Sequence, residues 1–142
     1  METLMAVEME IKIRPYKESD YEMIASWWSD HGEVGPRPGM MVEDGTFVLE
    51  LGSTPVMSIT VFLTQSKEVA YLEGLISAPY FTIKEARRIV GQELVNHAYA
   101  FAKSKGYKRV ICYTDKPKLA NRYQELGMSK SIGSIQALFR EL

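Results

Sequence analysis

The alternation of apolar and polar residues predicts a strand, a helix and a long loop in the first third of the chain. Met9–Arg14 alternates apolar with polar residues, as in a half-buried strand. Apolar residues recur at helical spacing from Ser19 to Ser29, where acidic residues in the first turn suit the helix dipole. Residues 29–45 contain four glycines and two prolines, so we expect an irregular loop. A loop of this length in a compact domain is usually functional or mobile.

A long helix is the best-marked element of the chain. It follows Pro79, and Thr82 and Glu85 make the T-x-x-E pattern of a capping box, whose side chains bind free N–H groups of the first turn. Apolar residues then recur at helical spacing as far as Phe101, and Gly106 suits the left-handed conformation that ends a helix. Three strands are predicted before this helix, at Thr46–Leu51, Val56–Leu63 and Val69–Ser77.

The last part of the chain predicts a strand, a short helix capped by Asp115 and a final strand, at Arg109–Thr114, Lys116–Leu126 and Ser134–Phe139. The order of elements is then β-α-β-β-β-α-β-α-β. This order predicts a single α/β domain over residues 9–142, with a mixed, mainly antiparallel sheet flanked by helices. Residues 1–8 precede the first strand and are expected to be a frayed leader.

Composition narrows the class of protein. A chain of 142 residues with 46% hydrophobic and 25% charged residues fits one globular domain. The net charge of −1 argues against a nucleic-acid partner or a membrane surface. No apolar run approaches membrane-spanning length, and the first residues lack the pattern of a signal peptide. Cys112 lies in the apolar run VICY, so we expect a reduced, buried cysteine and a cytoplasmic protein.

The junction between the predicted strand Val69–Ser77 and the long helix indicates an anion site. Free backbone N–H groups and the positive end of the helix dipole meet where a strand leads into a helix. Arg87 and Arg88 lie near this start of the helix, although the connection lacks the glycines of the common phosphate-binding motifs. The sequence therefore indicates a cofactor that carries phosphate and is held in an unusual way.

Three features of the chain resemble the GNAT superfamily of acyl-CoA N-acyltransferases. These are the order of elements, the segment EGLISAP at 73–79 before the long helix, and the segment NRYQELGM at 121–128. Many members of that family read YEKLGF after the last helix, which YQELGM matches. The resemblance extends over residues 9–142. The pair Trp27 and Trp28, followed by a loop rich in glycine and proline, resembles a bacterial and phage branch.

The resemblance implies an N-acetyltransferase with acetyl-CoA, or a related acyl-CoA, as co-substrate and without a metal. The family's acyl-CoA loop reads [QR]-x-x-G-x-[GA], and residues 86–91 are its best match, with the final glycine alone retained. The implied cofactor-binding residues are Leu75, Ile76, Ser77, Arg87, Arg88, Ile89, Val90, Gly91 and Gln92. The altered loop leaves a second function open, that of a GNAT-like binding or interaction module without catalysis. A small-ligand binder without CoA is a third.

Two residues are candidates for catalysis, and each has a structural alternative. Tyr123 matches a family tyrosine that protonates the departing thiolate, but it also lies on the apolar face of its helix, as a core tyrosine would. Glu73 interrupts an apolar strand, where an unpaired carboxylate is costly. It is the candidate base that deprotonates an amine through a water, unless it lies on a solvated face of the strand.

The acceptor is expected to be a small-molecule or peptide amine. Trp27 and Trp28 diverge by about 100° on a helix, so they cannot both face the core. One of them is expected to line the acceptor pocket, or else to contact the loop above it. Acidic residues outnumber basic ones in residues 29–45, which favours a cationic amine. His31 and His97 lack partners at metal-ligand spacing, and a homodimer is compatible with the sequence.

Overall fold

The computed structural model describes residues 10–114, 116–130, 138 and 140–142. The expected leader, the capping residue Asp115 and all but one residue of the expected strand at 134–139 therefore lie outside the described residues. The elements are β1 (Ile11–Pro15), α1 (Tyr21–Asp30), β2 (Thr46–Leu51), β3 (Thr54–Leu63), β4 (Ala70–Ser77), α2 (Lys84–Ser104), β5 (Val110–Ile111) and α3 (Pro117–Glu125). Short 3-10 turns occur at Glu18–Asp20 and Pro38–Met40. None of the helices in this part of the chain is long and apolar enough to cross a membrane.

The five strands form one sheet in the order β1-β2-β3-β4-β5. The pairs from β1 to β4 are antiparallel, and β5 runs parallel to β4. Helix α2 packs on one face, where Phe47 of β2 makes edge-to-face contacts with His97 at 4.6 Å and Phe101 at 5.1 Å between ring centroids. Side chains alternate along each strand, so the neighbours of the residues that face α2 point to the other face of the sheet, where Trp28 of α1 lies. The prediction of a mixed, mainly antiparallel sheet flanked by helices is confirmed.

The predicted capping box of the long helix is absent. Helix α2 begins at Lys84 with Ile83 as its N-cap, and no side chain caps its first turn. Glu85 instead forms an ion pair with Arg88, three residues along the helix. With Ile83 as N-cap, Glu85 is the second helical residue and Thr82 precedes the N-cap, so neither occupies the position that a capping box needs. The first-turn N–H groups are therefore left without side-chain caps.

The first helix is fixed to the sheet by a buried ion pair. The Arg14 guanidinium on β1 donates two hydrogen bonds of 2.8 Å to the Asp20 carboxylate and one of 3.0 Å to Glu50 on β2. The Lys17 backbone N–H also donates to Asp20 at 2.8 Å. These contacts hold the pKa of Asp20 below its ordinary value, and the hydrogen bonds from Arg14 have the largest effect. Because Asp20 immediately precedes α1, this network fixes the start of the helix and therefore the position of its two tryptophans.

We predict that Asp20→Asn lowers the free energy of unfolding by about 1–3 kcal/mol at neutral pH, because Arg14 loses one of its two charged partners in a mostly buried site. A carboxyl group with a lowered folded pKa stabilises the fold above its unfolded pKa of about 3.9, and this contribution is lost as pH falls through the folded pKa. The deficit of the variant should therefore shrink as the pH falls below about 3.9, as measured by urea unfolding at several pH values. Asp30→Asn, at the exposed end of α1, is the matched control. An equal, pH-independent loss in both variants would contradict the assignment.

Candidate functional site

Strand β4 contains a bulge at its middle. Thr60 pairs with Glu73 and Ser58 pairs with Ile76, so two residues of β4, Gly74 and Leu75, lie opposite the single residue Ile59. Gly74 has a φ of 68°, in the left-handed region that favours glycine. A bulge of this kind leaves backbone groups out of the ladder and turns side chains to a new direction. It therefore creates free backbone polar groups in the centre of the sheet.

Strands β4 and β5 separate just before this bulge. Their pairing consists of Ala70 with Val110 and Tyr71 with Ile111. At the far end of β4, the Ala78 N–H donates to the Val56 carbonyl of β3 at 2.8 Å, so the polar groups of its neighbour Ser77 point towards the β5 side. The Ser77 carbonyl accepts a hydrogen bond from His31 Nε2 at 3.0 Å. The structure thus contains an opening between two parallel strands, the arrangement expected for a cofactor cleft.

The N-terminus of α2 presents free amides beside this opening. The first intrahelical bond runs from the Arg87 N–H to the Ile83 carbonyl at 2.9 Å. The N–H groups of Lys84, Glu85 and Ala86 have no hydrogen-bond partner among the described residues. Together with the helix dipole, they form a site suited to an anion. The amides of Ile89 to Gln92 lie further along α2, within the helix.

Three arginines gather around the first turns of α2. Arg88 is exposed and paired with Glu85, whereas the half-buried side chain of Arg87 has no ion pair or hydrogen bond with the described part of the chain. Arg122 reaches across from α3 and donates hydrogen bonds to the carbonyls of Arg87 and Arg88. Sequence reasoning missed Arg122, and its place directly before Tyr123 was the one signal that could have drawn attention to it.

Gly91 has a packing role in this arrangement. A Cβ atom at this position would lie 3.1 Å from Arg122 Nη2 and 3.8 Å from Met57 Sδ, so the missing side chain gives the guanidinium its room. Val90 is completely buried in the core and Gln92 is exposed. Cofactor contacts of the predicted residues Ile89, Val90, Gly91 and Gln92 stay predictions.

A cleft of about 540 Å³ lies on the sheet face opposite α2. It falls within the size range of small-molecule sites. Its walls are mostly apolar and come from α1, the loop after it, β3 and β4: Trp28, Val34, Gly35, Pro36, Met40, Thr60, Phe62, Tyr71, Glu73 and Gly74. Trp27 does not line the cleft, because its side chain is 2% exposed and packs in the core. Trp28 therefore remains as the tryptophan available to an acceptor.

Glu73 lies on the floor of this cleft. It pairs across the sheet with Thr60, on the same face as the neighbouring pair of Phe62 and Tyr71. The cleft is open, so the carboxylate reaches solvent while apolar side chains surround it. This partial burial raises the pKa of Glu73 above its ordinary value. Glu73 thus lies on the solvated face of β4, which is also the floor of the cleft, and its role as a base stays a prediction.

Tyr123 lies beside the opening between β4 and β5. It is 4% exposed, and its hydroxyl interacts with the thiol of Cys112, which directly follows β5. Burial raises the pKa of Tyr123 strongly and that of Cys112 to about 11, and the nearby Glu73 carboxylate adds to both shifts. Both groups are therefore protonated at neutral pH. This position suits a proton donor and also a core tyrosine, so its catalytic role stays a prediction.

Comparisons with solved structures give the fold a name. An aminoglycoside acetyltransferase from an uncultured soil metagenomic sample, in complex with sisomicin, is 14% identical over 94% of this chain and 98% of its own, with a TM-score of 0.71. Ard1 from Thermoplasma volcanium is 14% identical over 87% of this chain and 85% of its own, also at 0.71. The chain has the GNAT fold. The fold that the resemblance implied is thereby confirmed.

A third GNAT neighbour contains coenzyme A. N-acetylglutamate synthase from Neisseria gonorrhoeae, complexed with coenzyme A and N-acetyl-glutamate, is 15% identical over 80% of this chain and 27% of its own, with a TM-score of 0.64. At such identities the likeness establishes the GNAT fold and leaves the substrates of this chain open. No protein-family profile and no curated protein matches the chain.

We predict that Gly74→Ala destabilises the GNAT fold by about 1–2 kcal/mol through backbone strain at the bulge. The nearest atom to a Cβ there is Trp28 Cζ2 at 4.0 Å, so the added methyl group fits and the positive φ alone carries the cost. Gly39→Ala is the control, because Gly39 has no positive φ and nothing lies within 4 Å of its Cβ position. Urea unfolding of both variants measures the difference. Equal stabilities would mean that the bulge does not depend on the conformation of Gly74.

Proposed function

We propose that the protein is an N-acyltransferase that moves the acetyl group of acetyl-CoA to an amine by direct attack. The observation that carries this proposal is the convergence of three features on β4. The bulge at Gly74 supplies free backbone groups, the separation from β5 opens a cleft on one side, and the acceptor cleft with Glu73 lies on one face. The GNAT fold, and a neighbour solved with coenzyme A, support the same function.

The residues at the start of α2 fit the phosphates of acetyl-CoA. The N–H groups of Lys84, Glu85 and Ala86 are uncapped, since the predicted capping box does not form. Arg87 adds a guanidinium without a protein partner among the described residues, and guanidinium groups bind phosphate through paired hydrogen bonds. The remainder of the cofactor would follow Leu75–Ser77, along the edge of β4 that faces the opening.

The chemistry assigns a separate task to each group around β4. Acetyl-CoA supplies an activated thioester when bound. Glu73 accepts a proton from the acceptor ammonium through a water, which frees the nitrogen lone pair, and its raised pKa makes the carboxylate a stronger base. Free N–H groups at the bulge stabilise negative charge on the thioester oxygen. Tyr123 donates its proton to the leaving sulfur, while the two clefts hold the reacting groups together.

The main test is a calorimetric titration with acetyl-CoA, followed by a thiol-release screen over amines and peptide N-termini. Saturable binding and amine-dependent thiol release are expected. Binding without release across the screen would favour the alternative function, a GNAT-like binding or interaction module. Absence of acetyl-CoA binding would refute the proposed function.

We predict that the double variant Arg87→Ala, Arg88→Ala weakens acetyl-CoA binding by about 1–3 kcal/mol, because charge-assisted hydrogen bonds to phosphate are lost. Arg87→Ala should account for more of this loss than Arg88→Ala, since Arg88 is already paired with Glu85. Calorimetry on the single and double variants measures the effect. Lys103→Ala, at the opposite end of α2, is the control for a general change in charge. Unchanged affinity in the double variant would remove these arginines from the site.

We predict that Tyr123→Phe lowers turnover by ~10²–10⁴-fold while acetyl-CoA affinity stays near parental, because a positioned general acid is lost and the ring still packs. Kinetics and calorimetry separate the two effects. Tyr107→Phe is the control, since it removes a buried tyrosine hydroxyl that donates to the Thr64 carbonyl, away from the clefts. Equal turnover in the parent and Tyr123→Phe, with a lower melting temperature, would make Tyr123 a core residue.

A further inference from the structure

The floor of the acceptor cleft offers one anionic group. Of the residues that line it in the described part of the chain, Glu73 alone carries a carboxylate, and its oxygens make no hydrogen bond or ion pair there. The Thr60 hydroxyl beside it is already paired with the Thr46 hydroxyl at 3.0 Å. Phe62 and Tyr71 continue the floor with aromatic rings. A ligand therefore finds one charge partner surrounded by apolar surface.

The walls of the cleft are apolar and held in place. Pro36 is fixed by a hydrogen bond from the Tyr21 hydroxyl to its carbonyl at 2.9 Å. Gly35 lies directly on Trp28, because a Cβ at this position would come within 2.8 Å of the tryptophan side chain. Met40 forms part of the rim and is 51% exposed. The walls of the cleft are thus held in place before an apolar ligand binds, which reduces the entropy lost on binding.

Acidic residues of the loop do not add a second anionic group to the cleft. Glu33 is paired with Lys116 of the segment before α3, and Asp44 lies 4.0 Å from Lys105 beyond the end of α2. Neither carboxylate lines the cleft. The acidic majority in the loop sequence therefore does not make this a site for a polycation.

From this arrangement, and resting on the proposed function, we infer that the acceptor is an apolar monoamine, with one primary amine on an aromatic or aliphatic skeleton. Its ammonium group pairs with Glu73 and its skeleton packs on Trp28 and Phe62, where burial of apolar surface and aromatic contact stabilise it. A polyamine or aminoglycoside would bring further ammonium groups against apolar walls without partners, which costs binding free energy. A phosphorylated amine would bring a negative charge towards Glu73.

The test compares acceptors of different polarity and charge. Phenethylamine and hexylamine represent the proposed class, and ethanolamine, spermidine and glucosamine 6-phosphate represent polar, polycationic and anionic amines. Thiol release from acetyl-CoA gives kcat/KM for each. We expect phenethylamine to exceed ethanolamine by about 10- to 100-fold, because the ring is buried in the cleft. A higher kcat/KM for spermidine or glucosamine 6-phosphate than for phenethylamine would overturn the inference.

A substitution at the rim tests the role of charge. Met40→Glu places a second carboxylate at an exposed position, so the ratio of kcat/KM for spermidine to that for phenethylamine should rise by about 10-fold at low salt. Met40→Gln has the same length without the charge and is the matched control. An equal ratio in Met40→Glu and Met40→Gln would place the amine elsewhere and overturn the inference.

Direct binding separates the failure of this inference from that of the proposed function. Phenethylamine is titrated into the protein without acetyl-CoA, followed by NMR, and the titration is repeated with Glu73→Gln. Binding to the parent that weakens at least about 10-fold in Glu73→Gln supports the inference even if acetyl-CoA does not bind. Ethanolamine or spermidine binding as tightly as phenethylamine would overturn it, whatever the result with acetyl-CoA.

Discussion

Strand β4 has a hydrogen-bonding neighbour on both sides for only its first two residues. It follows β3 along its length, but its pairing with β5 ends at Tyr71 and Ile111. Beyond that point one edge of a central strand has no strand partner in the described structure, a situation that backbone polar groups tolerate only near water, side chains or a ligand. His31 satisfies one of these groups, the Ser77 carbonyl. The opening beside β4, and with it the position of the candidate site, depends on this early separation.

The bulge at Gly74 connects the two halves of the site. It lies three residues after the end of the β4–β5 pairing and directly after Glu73, so the backbone turns where the opening between β4 and β5 adjoins the cleft on the sheet face. Trp28 of α1 also approaches the bulge, since its Cζ2 atom lies 4.0 Å from the position that a Cβ atom on Gly74 would take. Its helix is fixed by the ion pair between Arg14 and Asp20. A mostly buried ion pair just before α1 thus influences the shape of the cleft that Trp28 lines.

The start of α2 is suited to an anion, although the chain lacks the glycine-rich loop that the resemblance to the GNAT superfamily led us to look for. Free N–H groups remain because the N-cap residue of α2, Ile83, has no side chain that accepts a hydrogen bond, and Glu85 pairs with Arg88. The glycine that survives from the loop pattern, Gly91, makes room for Arg122 from α3. Arg122 in turn binds two carbonyls of α2, and burial lowers its pKa from the ordinary value. In this chain arginine side chains add positive charge to the helix dipole, at the place where glycines would let a ligand approach the backbone closely.

Local patterns in the sequence were sufficient for the order of the elements up to α3, the mixed sheet and the resemblance to the GNAT fold. Helical and strand periodicity depend on neighbours two to four residues apart, and the segment at 121–128 carries its motif in consecutive residues. The same patterns singled out Glu73 and Tyr123, because a carboxylate in an apolar strand and a tyrosine in a known motif are visible without coordinates. The sequence pattern could not decide whether Glu85 joins a capping box or an ion pair, because Thr82 and Arg88 both lie three residues away from it.

Tertiary structure decided the rest, because the contacts involved join residues far apart in sequence. The orientation of α1 on the sheet placed Trp27 in the core and Trp28 in the cleft, although both lie on the same helix. The packing of α3 on α2 brought Arg122 to Gly91, a contact between residues 31 positions apart that no periodicity encodes. The electrostatic environments of Glu73 and Tyr123 likewise arise from burial by several elements, and burial is a property of the assembled fold.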